Sequence, residues 1–195
     1  MAEFKNITKK YGDKTVLDNF SLILEKGKKT AIMGESGCGK TTLLRIAAGL
    51  TKADGGEFIH QGRIAVMFQE PRLLPWKNAL DNVKAVLSKE QFSLADKYLS
   101  AVGLENDKEK FPHELSGGMA QRVALARFFA FAEATESDLL LLDEPFSALD
   151  DETADKMISL LRTFSLGKTV LLVTHDRADA EGFSDTIVNL DRQNA

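Results

Sequence analysis

Residues 34–42 read GESGCGKTT, preceded by the apolar run 30–33 and followed by a helical stretch over 40–48. Gly34, four residues, then Gly39, Lys40 and Thr41 meet the spacing of a phosphate loop. Glycines let the backbone curl so that successive N–H groups converge on phosphate oxygens, where a Cβ would obstruct. The following helix adds its positive N-terminal end. Lys40 supplies a point charge for the β- and γ-phosphates, and the Thr41 hydroxyl is placed to ligate Mg2+. Glu35, Ser36, Gly37, Cys38 and Thr42 complete the candidate nucleotide-phosphate cradle; holding phosphate needs no thiol, so Cys38 is read as loop rather than nucleophile. An accidental Lys-Thr in a glycine-rich turn is the plain alternative, and the strand before and helix after speak against it.

Two more runs, 139–142 and 169–173, are continuous rather than alternating, as strands buried on both faces of a parallel sheet read. With helical stretches at 121–131 and 151–164 between them, the order predicts right-handed crossovers and an open α/β sheet. The run LLLLDE (139–144) delivers two carboxylates at a strand's C-terminal end, the edge where such sheets bind ligands. Asp143 is the expected outer-sphere Mg2+ ligand, and Glu144 is suited to orient and deprotonate a water facing the γ-phosphate. Segments 3–8 and 20–24 read as strands around a Tyr-Gly-Asp-Lys turn. Segments 57–60 and 63–68 read as a hairpin closed at Gln61-Gly62. Residues 78–103 read as two amphipathic helical stretches broken near 88–93, an inserted lobe.

The chain has 195 residues, 44% hydrophobic and 28% charged, with 25 basic and 29 acidic side chains, a formal net charge of −4. That suits one domain with a full core and excludes global disorder. A pI near 5.5 without a dense basic block argues against a nucleic-acid partner. One cysteine rules out an internal disulfide framework. The N-terminus lacks a signal-peptide apolar core, and nothing approaches the roughly 20 apolar residues of a membrane span. The expected location is cytoplasmic, with any membrane role reached through a partner.

Residues 115–122 read LSGGMAQR. Ser116 with Gly117-Gly118 before a helix forms a second anion-binding N-terminus as well as an N-cap. One nucleotide needs one phosphate loop, so the second cradle raises the question of whose phosphate it takes. Here the sequence resembles the ATP-binding cassette (ABC) ATPases over essentially its whole length. The resemblance implies an α/β P-loop NTPase, residues 1–195 forming one domain. It would have a parallel core sheet, a small antiparallel β subdomain (about 1–30 and 55–68) and an inserted helical subdomain (about 70–130). It also implies a head-to-tail pair of cassettes, most simply a homodimer, in which Leu115, Ser116, Gly117, Gly118 and Gln121 close over the other copy's nucleotide. Tyr11 matches the aromatic that stacks on adenine, with a turn tyrosine as the alternative. Gln69 matches the glutamine that reaches Mg2+ and the attacking water. Ser147, Ala148, Leu149 and Asp150 match a loop that signals across the dimer. His175 matches the switch histidine on the γ-phosphate. His60 and His113 lack such company and are read as structural or surface residues.

The resemblance extends to partners: an integral membrane permease contacted near the glutamine loop and, through it, an extracytoplasmic solute-binding protein. Leu73, Leu74 and Trp76, in a proline-flanked stretch, read either as lobe core or as a groove for a permease helix. The FQE…LLPW phrasing is most similar to the nitrate, sulfonate, taurine and thiamine-precursor importer branch. The resemblance places the chain peripherally on the inner face of the cell membrane. A soluble cluster-assembly ATPase is the alternative, and a small-molecule kinase would leave LSGGMAQR unexplained. Departures are a short 42–69 segment, a compact insert between 69 and 115, Ala120, Phe128-Phe129, and no room after Asp191 for a regulatory domain.

Overall fold

The structure, a computed structural model, describes residues 1–190; the stretch from Asp191 lies outside the described residues. The first strands, β1 (Ala2–Tyr11) and β2 (Lys14–Leu24), form an antiparallel ribbon whose free third place is taken by β4 (Gly55–His60), giving the order β2-β1-β4. The second sheet is all parallel: β5 (Ile64–Met67), β6 (Leu139–Asp143), β7 (Thr169–Val173), β3 (Lys29–Met33) and β8 (Thr186–Asn189), in that order.

Alternate side chains of β6 explain why its run is continuously apolar. Leu139 and Leu141 face one cluster, with Leu43 and Leu44 of α1 (Lys40–Ala47) and with Phe4, Ile7 and Leu17 of the antiparallel sheet. Leu140 and Leu142 face the other, against α4 (Gly117–Ala134), α5 (Asp151–Phe164), α6 (Arg177–Phe183) and the helical lobe. Helix α1 thus lies between the two sheets. Burying both faces is what a mixed strand pattern could not do.

The expected hairpin over 57–60 and 63–68 does not form. β4 pairs with β1, Ala2 opposite His60, whereas β5 pairs in parallel with β6, Ile64 opposite Leu139. Gln61-Gly62-Arg63 instead carries the chain from one sheet to the other. Asp138 grips it there: its carboxylate accepts from the Arg63 amide at 2.9 Å, and the Asp138 amide donates to the Arg63 carbonyl at 3.1 Å. Any Cβ on Gly62, at φ +139°, would lie 2.3 Å from that carboxylate. The antiparallel lobe therefore ends at His60, and 64–67 belongs to the core.

The inserted lobe holds α2 (Ala79–Lys84), a short 3-10 turn (Lys89–Gln91) and α3 (Ser93–Ala101), broken where the sequence breaks. Asn78 caps α2, and buried Asn82 bonds both the amide and the carbonyl of Leu74 as well as the carbonyls of Lys77 and Asn78. This pins the stretch from 73 to 78 as a formed loop. Leu73 packs on the core while Trp76 stands 71% exposed, so the lobe-core reading holds for Leu73 and not for Trp76. Helix α4 begins four residues before the 121–131 stretch, so the two signature glycines are its first turn. Helix α6 and strand β8 complete the sheet and were not expected from the pattern.

Candidate functional site

Four neighbouring strands of the parallel sheet, β5, β6, β7 and β3, send their carboxyl ends to one edge. From β3 the chain enters the 34–42 loop and then α1; from β6 come Asp143 and Glu144; from β7, His175; from β5, Gln69. A cleft of ≈ 360 Å³ at this edge is lined by Tyr11, Val16, Ser36, Gly37, Gly39, Lys40, Thr41, Thr42, Gln69, Asp143 and Glu144. Tyr11, half-exposed on the antiparallel lobe, forms one wall with Lys9 Nζ 5.5 Å from its ring centre.

Gly37 and Gly39 adopt φ +82° and +112°. At Gly39 the constraint is double: a Cβ would also lie 2.9 Å from Val16 Cγ1 and 3.0 Å from Leu17 Cδ2, so the loop lies directly on β2. Buried Lys40 reaches back to donate to the carbonyls of Gly34 (2.6 Å) and Glu35 (2.9 Å). Its charge is thereby held over the loop, desolvated and already partnered. Glu35 and Gly34 also border a second, adjoining hollow with His175.

The fit of a divalent cation rests on Asp143. It is 2% exposed; its Oδ1 has no hydrogen-bond partner among the described residues, although the Thr41 hydroxyl bonds the carboxylate. Burial raises its pKa, the Thr41 bond opposes this, and the Glu144 charge raises it further. An orphaned carboxylate oxygen beside a hydroxyl is the hard-oxygen donor set that Mg2+ takes, so Thr41, Asp143 and the nearby Gln69 fit the ion.

Glu144 sits on strained backbone. Its φ is +49°, left-handed for a residue with a Cβ, a cost of about 1–3 kcal/mol that persists where surroundings fix it. Its amide donates to the Val173 carbonyl at 2.8 Å, and its own carbonyl accepts from Ser147 Oγ at 3.1 Å. The His175 Nδ1–H donates to Glu144 Oε2 at 2.6 Å, so histidine and carboxylate from adjacent strands meet over the cleft. Asp179, in the first turn of α6, has its carboxyl pushed up to about 6 by burial and by Asp176 and Glu144.

None of Leu115, Ser116, Gly117 and Gly118 lines this cleft. Ser116 caps α4, accepting from the Met119 amide at 3.2 Å, and both Ser116 and Gly117 are exposed. Gln121 departs from the expectation that it reaches a partner copy. It is 1% exposed and donates to the Pro145 carbonyl at 2.9 Å within its own chain, because α4 turns that face toward the core. Ala148 packs against the signature, a Cβ on Gly118 lying 3.1 Å from its carbonyl. Ser147 and Ala148 are exposed and Leu149 packs on the core. Asp150 caps α5, accepting from Thr153 at its amide (3.0 Å) and hydroxyl (2.9 Å). His60, with Nε2 3.5 Å from Asp138, and His113, stacked on Phe111, stand outside the cleft. Sequence reasoning missed the pairing of Arg127 with the Pro71 carbonyl, which ties α4 to the segment following Gln69; nothing in spacing marks it.

Comparison with known proteins gives a consistent answer. The pattern described as "ABC transporter" matches residues 17–147. The chain is 44% identical to the aliphatic sulfonates import ATP-binding protein SsuB of Corynebacterium glutamicum, over 97% of this chain and 80% of that one. It is 44% identical to the protein of the same name from Cupriavidus necator, over 94% of this chain and 64% of that one. The relative from Pectobacterium atrosepticum is 45% identical, over 93% and 71%. Among solved structures, the dimeric ATP-binding cassette MJ0796, in a post-hydrolysis state bound to ADP and Pi, superposes with a TM-score of 0.87 at 32% identity, covering 97% of this chain and 94% of that one.

Proposed function

The chain belongs to the ABC transporter family of ATPases, and from that premise we propose that it is the ATP-hydrolysing subunit of a membrane importer, working as a pair of copies that close around ATP. The observation that carries the reading is a division of labour. One cleft gathers the phosphate loop, Gln69, Asp143 and Glu144, with His175 bonded to Glu144, while the exposed start of α4 lies outside it. A single subunit thus supplies the nucleotide's inner face. Ser116, Gly117 and Gly118 of a second copy would cover the γ-phosphate, a closed and self-complementary arrangement.

In this reading Lys40 exchanges its loop carbonyls for the β- and γ-phosphates, and the loop amides take the remaining oxygens. Tyr11 stacks on the base. Mg2+, held by Thr41, Asp143 and Gln69, neutralises phosphate charge when bound. Glu144 orients a water and accepts its proton, with His175 and Gln69 fixing the geometry around it. Closure by the second copy excludes bulk water, so binding brings the pair together and hydrolysis releases it.

No helix among the described residues is long and apolar enough to cross a membrane, so the transported solute would pass through a permease. Exposed Trp76 beside the glutamine loop supports docking there. The relatives' names favour an aliphatic sulfonate as the solute class, delivered by a solute-binding protein. The test is reconstitution with the permease in proteoliposomes, measuring phosphate release without any acceptor. Release that rises when an alkanesulfonate-loaded binding protein is added supports the proposal. Release indifferent to every alkanesulfonate overturns the solute assignment, and failure to associate with any permease overturns the importer.

A further inference from the structure

Gln121 is one of the few polar side chains fully withdrawn from solvent, 1% exposed, and a buried amide is found where it bonds something specific. Its Nε2 donates to the Pro145 carbonyl at 2.9 Å and lies 3.5 Å from the Glu144 carbonyl. Those two carbonyls lie in the turn that follows directly on Glu144's left-handed φ of +49°. The Ser147 amide closes the turn onto the Glu144 carbonyl at 3.4 Å, and the Pro145 carbonyl takes its donor from the Gln121 side chain. Ser147 Oγ, at 3.1 Å, approaches the Glu144 carbonyl as well, but from the turn itself. Gln121 comes from elsewhere: it lies on α4 one turn after the signature glycines, and the same first turn abuts the Ala148 carbonyl at Gly118.

We infer that Gln121 is a positioning residue for Glu144, tying the end of α4 that reaches a partner copy's nucleotide to the carboxylate that serves its own. The inference rests on the proposed two-copy reading and adds a route between the two sites. When the start of α4 is drawn onto the partner's phosphate, its first turns move as a unit. The Gln121 amide then sets the backbone turn that aims Glu144. Chemistry in one cleft is thereby conditioned on occupancy of the other.

The test uses the full chain with Gln121→Met, which keeps the length and removes the donor. The phosphate loop is untouched, so the ATP dissociation constant and KM stay within about twofold. The kcat falls by about tenfold to a hundredfold, the scale of a small misplacement of a catalytic group. Combined with Glu144→Gln, the substitution costs nothing further, because both act through one carboxylate. If Gln121→Met is not recovered folded, Gln121→Leu, which also removes the donor and buries no new polar group, carries the same expectations. Wild-type kcat, or a loss that multiplies with that of Glu144→Gln, overturns the inference. A Glu144→Gln variant that hydrolyses at the wild-type rate instead overturns the assignment of the base.

Discussion

Gly39→Ala asks the phosphate loop to accept one methyl group. The backbone there has φ +112°, and the added Cβ would stand 2.9 Å from Val16 Cγ1, 3.0 Å from Leu17 Cδ2 and 3.1 Å from the Val16 carbonyl. Leu17 is fully buried and the carbonyl belongs to β2, so neither neighbour can step aside cheaply. The φ alone costs a residue with a Cβ about 1–3 kcal/mol. Overpacking adds about 1–3 kcal/mol. The soft response is for the loop to lift off β2, and a lifted loop no longer aims its amides at phosphate. If about 2–3 kcal/mol appears in nucleotide binding, the ATP dissociation constant rises by about 30- to 150-fold. Calorimetric titration with ATP, beside thermal unfolding, measures both parts. Gly167→Ala is the control: φ is +75° with nothing within 4 Å of the added Cβ. It should cost about 1 kcal/mol of stability, from backbone strain alone, and leave affinity unchanged. Gly39→Ala that melts like the wild type and binds ATP within about threefold of it would refute the reasoning.

Lys40→Ala should lose ATP affinity outright, since its charge is the one already poised over the loop; undiminished binding in a nucleotide titration contradicts that. Asp179→Asn should stabilise the chain at high pH. The folded carboxyl titrates at about 6 against an ordinary 3.8, so ionising it costs folding energy above pH 6, a cost that fades as pH falls through 6. The shift would be worth about 3 kcal/mol if fully enclosed, and solvent at this half-buried site reduces it to about 1 kcal/mol. Denaturant midpoints should therefore shift upward at pH 8 and by less than half as much at pH 4.5; equal shifts would contradict the burial account. Trp76→Ser should alter stability by no more than about 0.5 kcal/mol, since the ring is mostly in solvent, yet weaken capture of the permease; unaltered capture removes Trp76 from the docking surface.

The phosphate loop, the two carboxylates and His175 are legible from residues because each is a local device at a strand end. The continuous apolar runs that carry them state burial on both faces without ambiguity. What spacing cannot state is which strand pairs with which. Residues 57–60 and 63–68 have the outward look of a hairpin, yet Asp138, seventy-five residues after Arg63, directs the chain to a different sheet. Helix α6 reads poorly because it is a single polar cap and seven residues, and β8 because its four residues are mostly exposed. The same limit hid the role of Gln121: the motif places it in the signature, but only the roll of α4 decides that it faces the Pro145 carbonyl rather than another copy.

Light scattering on the Glu144→Gln variant with ATP weighs the account most directly. It predicts a mass twice the 21.5 kDa of one chain, falling back to one chain when Ser116→Arg is added while ATP remains bound. The exposed Ser116 cap is worth only about 1 kcal/mol to the subunit, so the double variant stays folded. A Glu144→Gln protein saturated with ATP at the mass of one chain, or a double variant that still pairs, would contradict a nucleotide shared between two copies.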